Sequence, residues 1–190
     1  MFNEIVELVN KSVTNANAVF TEAEVGDSFI TVNSESIKNV CEVLKGSEFD
    51  FNVLQVITGC DFPETNEIEV SYIIASFTKN HELILKVRVS RDENTKVDSV
   101  SGVWKAANFQ ERECFDMLGV EFEGHPDHRR ILCPDDWKGF PLRKDYKPET
   151  EYHGMTINPE NKMNNDLMKF SAEHKDIKGG VTSHSTFKGN

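Results

Sequence analysis

An α+β domain built on a mainly antiparallel sheet is what this sequence predicts, and three observations predict it. Strand-like runs come in groups, two before residue 33 and three between 51 and 90, with no regular helix–strand alternation. The runs Glu67–Phe77 and Glu82–Ser90 are apolar at every second position and are separated by the short polar Lys79-Asn80-His81, the spacing of an antiparallel hairpin. Three other segments read as helices, two from apolar residues at helical spacing and one from its end signals, and they flank the strand groups.

Each element follows in order. Phe2, Ile5, Val6 and Val9 define a first helix that ends near Ser12. Ala18–Phe20 and Ser28–Val32 read as short strands on either side of a Gly-Asp turn. Ser34 is placed to cap a second helix, whose buried face is Ile37, Val40, Cys41 and Leu44 and which Gly46 closes. Phe51–Thr58 is apolar enough to be a central strand, and Asp61–Asn66, with Pro63, reads as a loop. Asn108 and Glu111 have the spacing of a capping box for a helix over Phe109–Leu118, ended by Gly119 in the left-handed conformation. On that helix Arg112 and Asp116 stand one turn apart, as a surface ion pair would.

Past Gly119 the periodicity stops, while prolines recur at 126, 134, 141, 148 and 159. The expected organisation is therefore a domain over 1–120, an extended proline-rich arm over 121–160 and a polar, flexible tail over 161–190. The 190 residues are enough for one domain with a real core.

Composition excludes several functions. A net charge of −11, from 32 acids against 21 bases, leaves no basic face for nucleic acid. No run approaches the ~20 apolar residues of a spanning helix. The acid-bearing start MFNEIVELVNKSV resembles neither a signal nor a transit peptide, so the chain is expected to stay where it is made. Cys41, Cys60, Cys114 and Cys133 are scattered singly, which suits reduced thiols better than a zinc or iron–sulfur site. No nucleophile-elbow, Walker or dinucleotide glycine motif occurs.

The segment GHPDHRRILCPDDWKGFPLRKDY, residues 124–146, concentrates the chemistry. His125, Asp127 and His128 offer metal-ligand atoms, the basis of a soluble metal-dependent hydrolase, but no third distant partner is marked by the sequence. Its carboxylates each have a base nearby, so mutual neutralisation is the simpler account than acid–base catalysis. Arg112, Arg129, Arg130 and Arg143 lie amid Phe115, Phe122, Trp137, Phe140 and Tyr146, the residue types of interface hot spots. Two readings stand level on composition: a strap laid on another protein, or an arm folded back on its own domain.

VWKAANFQERECFDMLGVEFEGHPDHRRILCPDDWKGFPLRKDY, residues 103–146, closely resembles the signature of the 30 kDa (C-type) component of respiratory complex I, the proton-pumping NADH:quinone oxidoreductase. LQVITGCDFP and HELILKVRVSRDE resemble the family's preceding strands, so the likeness runs from about Phe49 to Pro148. His128 departs from the family's usual Leu, and Cys133 fills a variable position. The resemblance implies an α+β subunit of the hydrophilic arm that binds no flavin, iron–sulfur cluster or quinone, these being carried by the parent complex. It implies that the arm wraps the large D-type (49 kDa) subunit, that membrane association is indirect, and that the location is the cytoplasmic side of a bacterial inner membrane. Related hydrogenases and ferredoxin- or F420-linked dehydrogenases contain equivalent subunits and are the alternative setting. The residues that carry the signature, and with it the expected partner contacts, are Glu111, Arg112, Glu113, Asp116, Gly124, His125, Pro126, Arg129, Arg130, Asp136, Trp137, Gly139, Pro141, Arg143, Lys144, Asp145 and Tyr146. Arg129, Arg130, Trp137 and Arg143 are the expected anchors, with Glu111 holding a helix N-terminus.

Overall fold

The computed structural model describes residues 1–157 apart from 24, 93 and 94. The expected tail over 161–190 lies outside the described residues. The chain divides into two compact units, Met1–Tyr146 and Lys147–Asn190.

The first unit runs α1 (Phe2–Ser12), β1 (Val19–Thr21), β2 (Phe29–Thr31), a 3₁₀ turn (Ser34–Ser36), α2 (Ile37–Gly46), β3 (Val53–Phe62), β4 (Glu67–Ser76), β5 (His81–Ser90), β6 (Lys96–Asp98), α3 (Ala107–Leu118) and β7 (Glu121–Glu123). Five strands form one sheet in the order β1-β2-β5-β4-β3, antiparallel except for the parallel pair β2–β5. β6 and β7 form a separate parallel pair. The α+β class with a mainly antiparallel sheet is as the sequence predicts.

Alternation sorts the sheet into two faces. Ile68, Val70, Tyr72 and Ile74 of β4 stand opposite Val89, Val87, Leu85 and Leu83 of β5, and all eight are buried. Ile5 and Val9 of α1 and Ile37, Val40, Cys41 and Leu44 of α2 join the same core. Each such side chain contributes roughly 1.5–3 kcal/mol on leaving water. The opposite face is polar: Glu69 receives Lys86 at 2.8 Å and Arg88 at 3.0 Å.

Several expectations are corrected. β3 is an edge strand, not a central one. Its edge is covered instead by α3, whose Gln110 side chain accepts the Ile57 N–H at 2.5 Å. The strand also runs on through Cys60, Asp61 and Phe62, so the supposed loop starts only at Pro63. Ser34 opens a 3₁₀ turn and makes no cap, because Ser36 is the residue that enters α2. Asn108 does not cap α3, which begins a residue earlier and has Ala106 at its N-cap.

The sequence places the start of an arm after Val120. Residues 121–146 belong to the first compact unit. The physical reason is that polar anchors, which leave no periodic trace, hold this segment. In the second unit the described residues contain a small hairpin, β8 (Glu151–Tyr152) with β9 (Met155–Thr156).

Candidate functional site

The 124–146 segment folds against α3, and α3 is shaped for it. Burying two charged groups on one short helix is costly unless each is satisfied. Arg112 and Asp116, both buried, do not pair with one another as expected. Asp116 Oδ2 accepts three successive backbone N–H groups, from Ile131 (3.1 Å), Leu132 (2.7 Å) and Cys133 (2.8 Å). Arg130 completes the site with an ion pair of 2.8 Å to Oδ1. Burial alone would raise the Asp116 carboxyl, but these donors together hold it below the ordinary carboxylate range. Arg112 serves the other side, donating to the carbonyls of Arg129 (3.1 Å) and Arg130 (3.2 Å) and lying 3.5 Å from Asp127.

A second clasp closes the C-terminal end of α3. Gly119 takes φ 79°, ψ 28°, and its N–H returns to Phe115 O at 2.8 Å, the left-handed cap that the sequence predicts. Arg143 donates to Leu118 O at 2.7 Å and to Arg91 O at 3.3 Å, placing a cation at the negative end of the helix. The Phe140 ring lies under both Arg143 (4.8 Å) and Arg130 (5.5 Å). Gly139, at φ 77°, carries the chain past the Tyr146 ring, where a Cβ would come within 3.2 Å. Pro141 holds the next turn half-buried.

The third anchor lies at the end of β3. Asp61, its side chain fully buried, receives Arg91 at 2.6 Å and the Lys144 N–H at 2.8 Å. Arg91 in turn reaches the exposed Asp145 at 2.8 Å. Sequence reasoning missed Asp61 and Arg91 altogether. The signal available was the unbroken strand pattern through ITGCDF, which places Asp61 on the inner face.

Glu111 and His125 make up the fourth anchor. Glu111 holds no helix N-terminus; it is fully buried and accepts the Ser99 hydroxyl at 2.6 Å and the Val100 N–H at 2.7 Å. Burial pushes its carboxyl up to about 7, against those two hydrogen bonds. His125 Nδ1 accepts the Asp127 N–H (3.0 Å), so Nε2 carries the proton and donates to Asn108 O (3.1 Å). His128 Nε2 accepts the Phe122 N–H at 3.1 Å, and its ring packs 4.1 Å from that of Phe115. Gly124, at φ 78°, and the exposed Pro126 shape this turn.

With both nitrogens of His125 and one of His128 committed to backbone, the metal-ligand reading of His125, Asp127 and His128 loses its donors. Asp127 is itself held by Arg129 at 2.9 Å. Among the described residues, no group of three or more His, Cys, Asp or Glu side chains is arranged to hold a metal ion.

Of the expected anchors, then, Arg130 and Arg143 grip their own domain, Trp137 is half-buried and Arg129 is exposed. Glu113, Asp136, Lys144 and Asp145 face outward. So do two leucines that sequence reasoning passed over. Leu132 (63% exposed) and Leu142 (58%) are fixed beside the same turn of α3, through the Asp116 carboxylate and Met117 O respectively.

Comparison with known proteins finds relatives over much of the chain. The C-type component of the NADH-quinone oxidoreductase of Chlorobium phaeobacteroides is 36% identical over 153 residues, 80% of this chain and 92% of that protein. Its counterpart in Roseiflexus sp. is 41% identical over 145 residues, covering 75% and 83%. The counterpart in Moorella thermoacetica is 48% identical over 101 residues, covering 53% and 68%. Among solved structures, a chain of the membrane-bound sulfane sulfur reductase, an archaeal respiratory membrane complex, superposes with a TM-score of 0.62 at 22% identity. The match covers 97% of this chain and 98% of that one, a likeness of fold. Residues 30–152 match the family model described as respiratory-chain NADH dehydrogenase, 30 Kd subunit, and the chain belongs to that family.

Proposed function

We propose that this chain is a structural, non-catalytic subunit of the hydrophilic arm of a proton-translocating NADH:quinone oxidoreductase. In this reading it binds no cofactor. FMN, iron–sulfur clusters and quinone belong to neighbouring subunits, and this chain supplies architecture on which they are held. Its partner is the large D-type (49 kDa) subunit, and its place is the cytoplasmic side of a bacterial inner membrane, reached through the complex. Two facts fit such an indirect attachment: no described helix is long and apolar enough to cross a membrane, and the net charge is −11.

The observation that carries the reading is how the signature divides its labour. Its charged residues Arg112, Asp116, Arg130 and Arg143 are consumed inside the unit, which stiffens the segment. Leu132 and Leu142 are left outside on that stiffened surface. Pre-ordered apolar side chains cost little entropy on docking, which suits a permanent interface within a complex.

Paired variants test this. Leu132→Asp with Leu142→Asp is expected to leave the isolated chain folded and to abolish its incorporation into the membrane complex. Arg143→Ala is expected to destabilise the isolated chain first, with assembly and quinone reductase activity falling together as a consequence. Normal assembly of the double-leucine variant contradicts the proposed contact. Oxidation of ferredoxin, not NADH, by the assembled particle would place the chain in the alternative class of complex.

A further inference from the structure

We infer that the Glu111–His125 contact is a proton-linked latch: the 124–133 turn stays seated on α3 while Glu111 is protonated and loosens when it ionises. The inference concerns the chain alone and does not depend on which partner covers it.

The geometry comes first. Glu111 Oε2 and His125 Nε2 are 3.8 Å apart, with both side chains fully buried. Among the described residues His125 is the one basic group within ion-pair distance of that carboxylate. The other titratable groups around Glu111 are the thiols of Cys41 on α2 and Cys114 on α3 and the Tyr72 phenol on β4; burial pushes all three upward, and the Glu111 charge adds to it. Tyr72 Oη is buried without a hydrogen-bond partner among the described residues. Ser99 and the Val100 N–H complete the surroundings. On the far side of His125 lie His128, its ring 5.7 Å away, and Asp127, which Arg112 and Arg129 neutralise. Among the described residues, then, an ionised Glu111 finds a countercharge only in a protonated His125.

Here the hydrogen bonding sets a conflict. His125 Nδ1 is an acceptor, because the Asp127 N–H points at it. To become an imidazolium, His125 must place a proton on Nδ1, which then faces another donor. Ionised Glu111 therefore either stays buried without a countercharge or takes one by breaking the Asp127 N–H bond. Either route strains the turn that leads directly to Arg129–Cys133. With the carboxyl raised to about 7, the seated state is fully favoured below the ordinary value near 4.5, loses ground as pH rises from there to 7, and loses no more above it.

Hydrogen exchange on the full chain tests the latch. The reporters are the amides of Asp127, Ile131, Leu132 and Cys133, with β4 amides as the measure of global opening. After correction for intrinsic rates, the turn amides are expected to open about tenfold more per pH unit between about 4.5 and 7 and to level off above 7. They are also expected to exchange faster than β4 amides throughout. Glu111→Gln is expected to flatten that profile. Should that variant not fold, Ser99→Ala removes one donor to the ionised carboxylate and is expected to move the midpoint upward. A flat wild-type profile, turn amides that exchange only with β4, or an unmoved Ser99→Ala midpoint would overturn the inference.

Discussion

Asp116 and Glu111 sit five residues apart on one helix and pull stability in opposite directions with pH. Asp116 is held below its usual range, so its contribution is present above about pH 3.8 and is lost as acid protonates it. Glu111 is held above its usual range, so its contribution is complete below about 4.5 and fades through 7. Stability of the full chain in urea should therefore peak on the mildly acidic side of neutrality. Glu111→Gln should gain up to about 3 kcal/mol relative to wild type at pH 8 and almost nothing below about pH 4. Asp116→Ala leaves Arg130 and three N–H groups without their acceptor and should cost about 3–5 kcal/mol at pH 7. At this scale the sequence showed which residues matter but not their partners. Spacing put Arg112 and Asp116 within reach of each other, whereas each is bound by a segment ten or more residues further on.

Among the elements, the strands of the hairpin were legible because their alternation is long and clean, and α3 because Gly119 marks its end. β4 and β5 end within a residue or so of where alternation puts them. β6 and β7 were not legible, since three residues with one buried side chain each, Val97 and Phe122, make no period. Nor does apolar content tell an edge strand from a central one when a helix covers the edge, as α3 covers β3. Two glycines mark how closely these pieces meet. A Cβ on Gly59 would run into Leu118, and one on Gly119 would sit 2.5 Å from the Phe140 ring on a backbone with φ 79°. Gly119→Ala should cost roughly 1–2 kcal/mol for the left-handed conformation alone, and more for the ring it displaces. Thermal melts of the two alanine variants should both fall below wild type.

For the whole molecule, composition left the 124–146 segment evenly poised between strap and self-packed arm, and the structure shows it packed on its own domain with part of its surface outward. Its backbone and arginines are packed on the domain, within the unit that ends at Tyr146. Its leucines and several charges remain outside. Hydrophobic pattern could not reveal this, because buried arginines and a carboxylate that accepts three amides read in sequence as ordinary solvated charges. The family was legible from the signature alone and is confirmed over residues 30–152. The central claim, a rigid structural component of a respiratory complex, is tested most directly by purifying the tagged chain after gentle membrane extraction. The predicted result is a large particle containing FMN and iron–sulfur clusters that oxidises NADH with quinone, and that excludes the Leu132→Asp, Leu142→Asp variant. Recovery of the wild-type chain alone, or with soluble proteins lacking that activity, would contradict the account.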